Sequence, residues 1–291
     1  MNLDELFNMS GSIEDVTTEP VRRKVDENLY SINLADAADG VYRAKVRFLP
    51  NYKNVKKSIV SKYTYWLTDA NEENGIFVDD PTSIGEKSPI GDLYWKLKKS
   101  NNPVDQNLSD LLKRGRKFYS YVQVIEDVQH PELEGRLMVF GYGIKIKEKI
   151  DSEFEDKDDG GSPFDLLNGR VFRIEVKKVG GYQNYDSCKF IGTRTSIVLD
   201  GEKMTASQKD KERIFEFLKT SPDLSDYDFK PWSAELTEQV NERLATFRNA
   251  GGVKRKPVVE TAISQEDENT YVESETYKSD DDDDFLEGID L

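Results

Sequence analysis

Lys117-Phe118-Tyr119-Ser120-Tyr121-Val122-Gln123-Val124-Ile125 decides how this chain folds. The stretch is dense in aromatic and β-branched residues and has neither glycine nor proline, so it reads as a strand. Turn residues His130, Pro131 and Gly135 follow, and Arg136 to Lys147 reads as the returning partner of a hairpin. Upstream, Tyr42, Ala44, Val46 and Phe48 alternate with Arg43, Lys45 and Arg47. That period of two predicts a second strand with one apolar and one basic face.

Ser58 to Leu67, Val171 to Val179 and the short Ser196 to Leu199 add β-prone segments. Residues 69–92 are rich in Asp, Glu, Gly, Pro and Ser and read as a long connection, and residues 151–159 read as an acidic loop. Leu93 to Lys99 and Leu108 to Leu112 read as short helices. Near the end, Ile214, Phe217 and Leu218 share one face of a helix over Lys209 to Lys219. Ser233 stands as N-cap of another, in which Leu236, Val240, Leu244 and Phe247 recur at helical spacing until Gly251-Gly252. The expected fold is mainly β with added helices (α+β): a barrel core of the oligonucleotide/oligosaccharide-binding (OB) type, a C-terminal helical extension and a disordered acidic tail. Residues 1–28 form an arm, 29–250 the core with its extension, and 251–291 a linker and tail.

The formal net charge is −15 over 291 residues, which on its own argues against a nucleic-acid partner. Its distribution reverses that argument. Residues 264–291 carry twelve acids and one lysine, residues 1–20 five acids and no base, and the body between them is within about one charge of neutral. Within the body the cations cluster at Arg43 to Lys57, at Lys113, Arg114, Arg116 and Lys117, and at Lys145, Lys147 and Lys149. A local field of this kind attracts a polyanion whatever the overall charge. No apolar run is long enough for a membrane helix, and Met1 to Leu6 lacks the basic and apolar regions of a signal peptide. The expected setting is a cytoplasm. With one cysteine (Cys188) and one histidine (His130), neither an internal disulfide nor a Cys/His zinc site can form.

The functional signal is aromatic rings interleaved with bases. Lys113-Arg114-Gly115-Arg116-Lys117 runs directly into Phe118, Tyr119 and Tyr121; the facing strand brings Phe140 and Tyr142, then Lys145. Gly181-Tyr182-Gln183-Asn184-Tyr185 adds two rings, with Lys189 close behind. Unpaired nucleic acid needs this mixture, because cations track phosphates while rings stack on bases at about 1–3 kcal/mol each. Alternate residues of a strand face opposite ways, so some rings must be core; the tyrosines, with polar tips, suit a groove, while the phenylalanines suit either place. Arg43, Lys45 and Arg47 fit a solvated exterior or a groove wall. Asp156-Lys157-Asp158-Asp159-Gly160 lacks the closing glutamate of a calcium loop and reads as solvated. No nucleophile triad, phosphate-binding glycine loop or nuclease-like carboxylate cluster stands out, so no enzyme is expected.

Ordered motifs from about Val41 to Ile197 resemble the helix-destabilising single-stranded DNA-binding proteins of T-even-type bacteriophages. They are Arg47-Phe48-Leu49-Pro50, Leu112-Lys113-Arg114, Glu134-Gly135-Arg136, and Gly181-Tyr182-Gln183-Asn184-Tyr185-Asp186 with Lys189-Phe190. The resemblance implies an OB core, with Phe118, Tyr119, Phe140, Tyr142, Tyr182 and Tyr185 on the DNA and Arg47, Lys113 and Arg114 on phosphates. It implies a sequence-tolerant protein that coats unpaired DNA in the infected host cell during replication, recombination and repair. The acidic tail (Asp280, Asp281, Asp282, Asp283, Asp284, Phe285 and Leu286) would recruit replication proteins such as a polymerase and a helicase loader, and would compete with DNA for the basic groove. The family prototype also holds zinc through one histidine and three cysteines. Here Tyr63 stands at the histidine's place and Ser88-Pro89-Ile90-Gly91 at that of a Cys-x-x-Cys pair, so no cofactor is expected. The prototype's N-terminus is basic and drives self-association along DNA; this one is acidic, with Arg22-Arg23-Lys24 as a displaced substitute. Two competing readings are an acidic adaptor that binds replication proteins without touching nucleic acid, and a metal-dependent nuclease assembled from distant carboxylates.

Overall fold

The computed structural model describes residues 26–73, 75–156 and 161–250. The expected arm lies outside the described residues except for 26–28; the linker and tail lie wholly outside them. The elements are β1 (Leu29–Tyr30), β2 (Val41–Leu49), β3 (Val60–Leu67), β4 (Ile76–Asp79), α1 (Pro89–Lys98), α2 (Pro103–Asp110), β5 (Gly115–Asp127), β6 (Leu137–Tyr142), α3 (Ile144–Glu155), β7 (Gly169–Val179), β8 (Tyr182–Asn184), β9 (Lys189–Thr195), β10 (Val198–Leu199), β11 (Glu202–Lys203), α4 (Gln208–Lys219) and α5 (Ala234–Ala250). None of the described helices is long and apolar enough to cross a membrane.

The chain is mixed α+β and mostly sheet. Nine strands join in the order β1-β6-β5-β2-β7-β8, with β3 bonded to β5, β4 to β3 and β9 to β7. That path has two ends, and no strand pair among the described residues joins them, so the sheet is not closed into the expected barrel. The ends are β1, two residues long, and β8, three, which leaves few backbone groups to bridge the gap. β5 is the axis of the sheet. One edge pairs first with β3 (Tyr119 opposite Val60) and then with β2 (Tyr121 opposite Leu49); the other pairs with β6 (Phe118 opposite Tyr142).

The apolar face of β2 packs as its alternation predicts. Tyr42, Ala44, Val46 and Phe48 are buried with Phe118, Val122, Phe140, Tyr142, Phe172 and Ile174 in one cluster. The returning strand is shorter than expected. It ends at Tyr142, and Gly143 turns the chain into α3, which drops Ile146 and Ile150 into the same cluster. The helix also takes in residues 151–155 of the expected acidic loop. On the opposite face of the sheet, α4 buries Ile214 and Leu218 against Leu49, Tyr121 and Val139.

Residues 69–92 are not a bare connection. β4 pairs with β3, and a 3₁₀ turn over Pro81–Ile84 leads into α1. Ser88, the N-cap of α1, accepts from Gly91 N at 3.1 Å. α5 closes this lobe: Val240, Leu244 and Phe247 pack on Tyr65, Leu67, Ile90, Leu93, Leu97 and Leu108. The fully buried Asp80 accepts from Thr82 N (3.2 Å) and Thr82 Oγ1 (2.7 Å) and lies 3.6 Å from Arg114 Nη1.

Arg47 departs most from expectation. Although it sits on the nominally basic face of β2, it is fully buried. Its guanidinium donates to the carbonyls of Thr195 and Asp165 and bolts β2 to the segment entering β7 and to the end of β9. Burial pulls its pKa down to about 10. A side chain with no solvent access cannot hold a phosphate, so Arg47 is a structural residue. Arg47→Ala strands two carbonyls and is expected to lower the unfolding free energy by about 3 kcal/mol in urea titrations. Asp80→Ala, which removes a cap and a buried anion, is expected to cost about 2 kcal/mol in the same measurement.

Candidate nucleic-acid interface

The pleat divides the basic-aromatic run of β5 between two surfaces. Arg116 and Phe118 face one way, with Tyr63 of β3 opposite Arg116 and Tyr142 of β6 opposite Phe118. Lys117 and Tyr119 face the other way, opposite Lys62 and Gly141.

On the first surface, planar groups form a belt. The Arg114 guanidinium lies 3.8 Å from the Tyr63 ring centroid, and that of Arg116 lies 5.1 Å from Tyr63 and 4.9 Å from Phe118. Lys147 of α3 reaches to 5.7 Å from the Phe118 ring, and Phe118 stacks on Tyr142 at 5.9 Å and 13°. Phe118 and Tyr142 are only 2% and 3% exposed, so their faces are not open to bases. The rings instead form a floor for guanidinium planes: Arg114 and Arg116 are both exposed. A guanidinium plane can itself stack on a base and pair with phosphate. The Tyr142 hydroxyl is 2.9 Å from Ser120 Oγ, and burial pushes its pKa up. Phe140 is 1% exposed and packs edge-on against Tyr30, so it is core and no stacking platform.

Beside the belt lies a small open cleft lined by Lys117, Gly141, Tyr142, Gly143, Lys145, Ile146 and Tyr185. It unites residues from β5, β6, α3 and the loop after β8 that are far apart in sequence. Tyr185 is half-buried, its hydroxyl 2.6 Å from Gln183 Oε1. Lys145 pairs with Asp186 at 3.0 Å, and Asp186 is held well below the usual carboxylate range by its hydrogen bond from Asn184 and by Lys145. That pair is exposed, so exchanging the carboxylate for a phosphate costs little.

The cations differ in how far they are neutralised. Lys113 is 3.4 Å from Asp110, Lys147 bonds Asp151, and Arg114 has Asp80. Among the described residues, Arg116 hydrogen-bonds only the Ser61 hydroxyl, at 3.2 Å. Lys117 is half-buried, and desolvation lowers its pKa below the ordinary lysine value. Among the described residues neither Arg116 nor Lys117 has a carboxylate within ion-pair distance. The two are adjacent in sequence and leave positive charge on both faces at the start of β5, which attracts an anion.

The remaining expected residues lie elsewhere. Tyr119 is half-buried against Tyr227, with Lys62 at 5.7 Å from its ring, and burial raises its pKa to about 12. Gly141 makes room for it, since a Cβ there would sit 3.0 Å from the Tyr119 ring. Tyr182, 64% exposed, stands at the β7–β8 turn, where Gly180 and Gly181 take positive φ. Lys189 is exposed at the start of β9. The structure does not join these two side chains to the belt. Asp280 to Asp284, Phe285 and Leu286 lie outside the described residues. Tyr63 belongs to the belt although sequence reasoning did not select it, because the cross-strand neighbour of Arg116 could be found only once the register of β3 was known; Lys147, one of the clustered cations of the sequence, reaches the same surface.

The residues standing where the resemblance puts zinc ligands do not fit the ion. The Tyr63 ring is taken up by two guanidiniums, and the Ser88 hydroxyl caps α1. Among the described residues no group of three His, Cys, Asp or Glu side chains is placed to hold a metal.

The family model described as gp32 DNA binding protein like matches residues 40–248, which include the whole belt and cleft. The single-stranded DNA-binding protein of Enterobacteria phage T4 is 25% identical over 213 residues, covering 67% of this chain and 69% of its own. That of Enterobacteria phage T2 is likewise 25% identical over 213 residues, covering 67% and 68%. With most of its length matched by one family model, the chain belongs to the gp32-like DNA-binding protein family.

Proposed function

We propose that this protein coats unpaired DNA without regard to sequence and without catalysis, in phage replication, recombination and repair. The observation that carries this reading is the pair Arg116 and Lys117, cations without carboxylate partners among the described residues, near a small cleft that brings in Lys145 and Tyr185. Phosphates follow Lys113, Arg114, Arg116, Lys117 and Lys145, while bases stack on the guanidinium planes and on Tyr185. Phosphate contacts and stacking carry no base identity, so binding of this kind tolerates any sequence. Capturing single strands removes them from the duplex equilibrium, so hairpins melt without an energy source. The acidic tail serves as a docking segment for replication proteins and as an internal competitor for the cations. An OB-like core, self-association along DNA, and a β3–β4 lobe that is ordered without zinc complete the proposal. The lobe reading is supported by Asp80, the Ser88 cap and the packing of α5.

Titration with oligo-dT at several salt concentrations tests the central reading. Log affinity is expected to fall with log salt by about 0.7 per phosphate neutralised, and Arg116→Ala to reduce that slope by about one such step. Salt-independent binding, or none, sinks the proposal and leaves the adaptor reading. Removing residues 264–291 is expected to raise affinity most at low salt, where an internal polyanion competes hardest. Unchanged affinity after truncation rejects the competitor role alone.

A further inference from the structure

Three tryptophans occur in the chain, and two have structural work. Trp66 packs on Phe77 with ring centroids 4.7 Å apart, and Trp232 donates from Nε1 to the Asp79 carbonyl at 2.6 Å. Trp95 does neither. It lies on α1, whose buried side is Ile90, Leu93 and Leu97, and it is 54% exposed. By helical geometry Trp95 points almost directly away from that buried side. Its partners are Tyr94, which meets it edge-on at 5.0 Å, and Lys99, whose Nζ lies 5.9 Å from the ring centroid. An exposed indole that packs on little and is framed by lysines needs a reason.

The charge around it supplies one. α1 carries Lys96 and Lys98 and is capped by Lys99, all exposed. Lys98 Nζ lies 3.8 Å and Lys113 Nζ 3.4 Å from the same Asp110 oxygen, so one carboxylate faces two ammoniums. Lys113 is the residue before Arg114, the first member of the belt. A continuous cationic track therefore leads from Arg116 through Arg114, Lys113 and Lys98 to the Trp95–Lys99 pair. An apolar ring inside a cationic frame suits a stacked base between phosphates, and suits an uncharged protein surface poorly.

We propose that the bound strand leaves the sheet at Arg114 and continues onto α1, where Trp95 stacks one base while Lys98 and Lys99 hold the neighbouring phosphates. This rests on the single-strand-binding reading above and extends its footprint beyond the sheet. Because Trp95 has little packing to lose, Trp95→Ala and Trp95→Phe both keep the fold, which their urea transitions verify.

The test compares wild type and both variants with oligo-dT from about 4 to 16 nucleotides, the span covered by modules of this kind. The wild-type-to-Trp95→Ala affinity ratio is expected to grow with length to about tenfold, in line with the loss of one stacked base. Long oligonucleotides are expected to quench tryptophan emission in the wild type, and the quenching to disappear in Trp95→Phe, which retains only Trp66 and Trp232. A ratio that does not grow with length, or quenching that survives in Trp95→Phe, overturns the inference while leaving the sheet site intact. Failure of wild type to bind at any length overturns the underlying reading as well.

Discussion

β5 is bonded along both edges for much of its length, and the pleat then allows each of its side chains one face only. The rest of the molecule is arranged around that constraint. Phe118, Val122 and Val124 are committed to the main core, and Tyr121 to the layer beneath α4. The basic run before them is sorted by the same alternation, so Arg114 and Arg116 stand at the rim of the core face while Lys117 turns to the other. A linear cluster of cations thereby becomes two walls at one end of the sheet. α3 starts where β6 stops and closes the gap with Lys145 and Lys147.

The rim explains why buried rings still matter to the surface. A free guanidinium in water loses considerable side-chain entropy when it is fixed against a ligand. Arg114 and Arg116 are already laid on Tyr63 and Phe118, so part of that loss is incurred during folding. Phe118 in turn is fixed by its stack on Tyr142. In the proposed binding mode, rings of the core act on nucleic acid through the cations above them. Such an arrangement keeps apolar area out of solvent and offers a polyanion planar, charged faces, which suits a protein whose overall charge of −15 would otherwise repel its ligand.

Where periodicity was long and uninterrupted, the sequence could be read directly. The inward face of β2 and the buried stripe of α5, Val240, Leu244 and Phe247, are where alternation and helical spacing put them. Residues 144–147 were misread because Ile-Lys-Ile-Lys alternates like a strand; the helical signal is the spacing from Ile146 to Ile150, visible only over a longer window. Arg47 was misread because its burial comes from Asp165 and Thr195, more than a hundred positions away, and no local pattern records that. Phe140 and Phe118 were left open between core and groove, and packing put both inside. Tyr63 was noticed only as a missing histidine. Its partnership with Arg116 is a matter of register, which composition does not carry.

That same tyrosine bears on how the β3–β4 lobe keeps its place. A metal would fix the lobe through a few strong bonds at one point. Here the task is spread over many weaker contacts: the Lys62–Asp79 pair at 2.9 Å, the Trp232 bond to the Asp79 carbonyl, the Asp80 cap, and the burial of α5 against α1 and α2. Asp80 belongs to this set and also anchors Arg114, which lies on Tyr63. The belt is therefore held from below by the core and from the side by the lobe. Neither support depends on a ligand, so the positions of the guanidinium planes are set in advance, and in the proposed binding mode less of the binding energy is spent on ordering them.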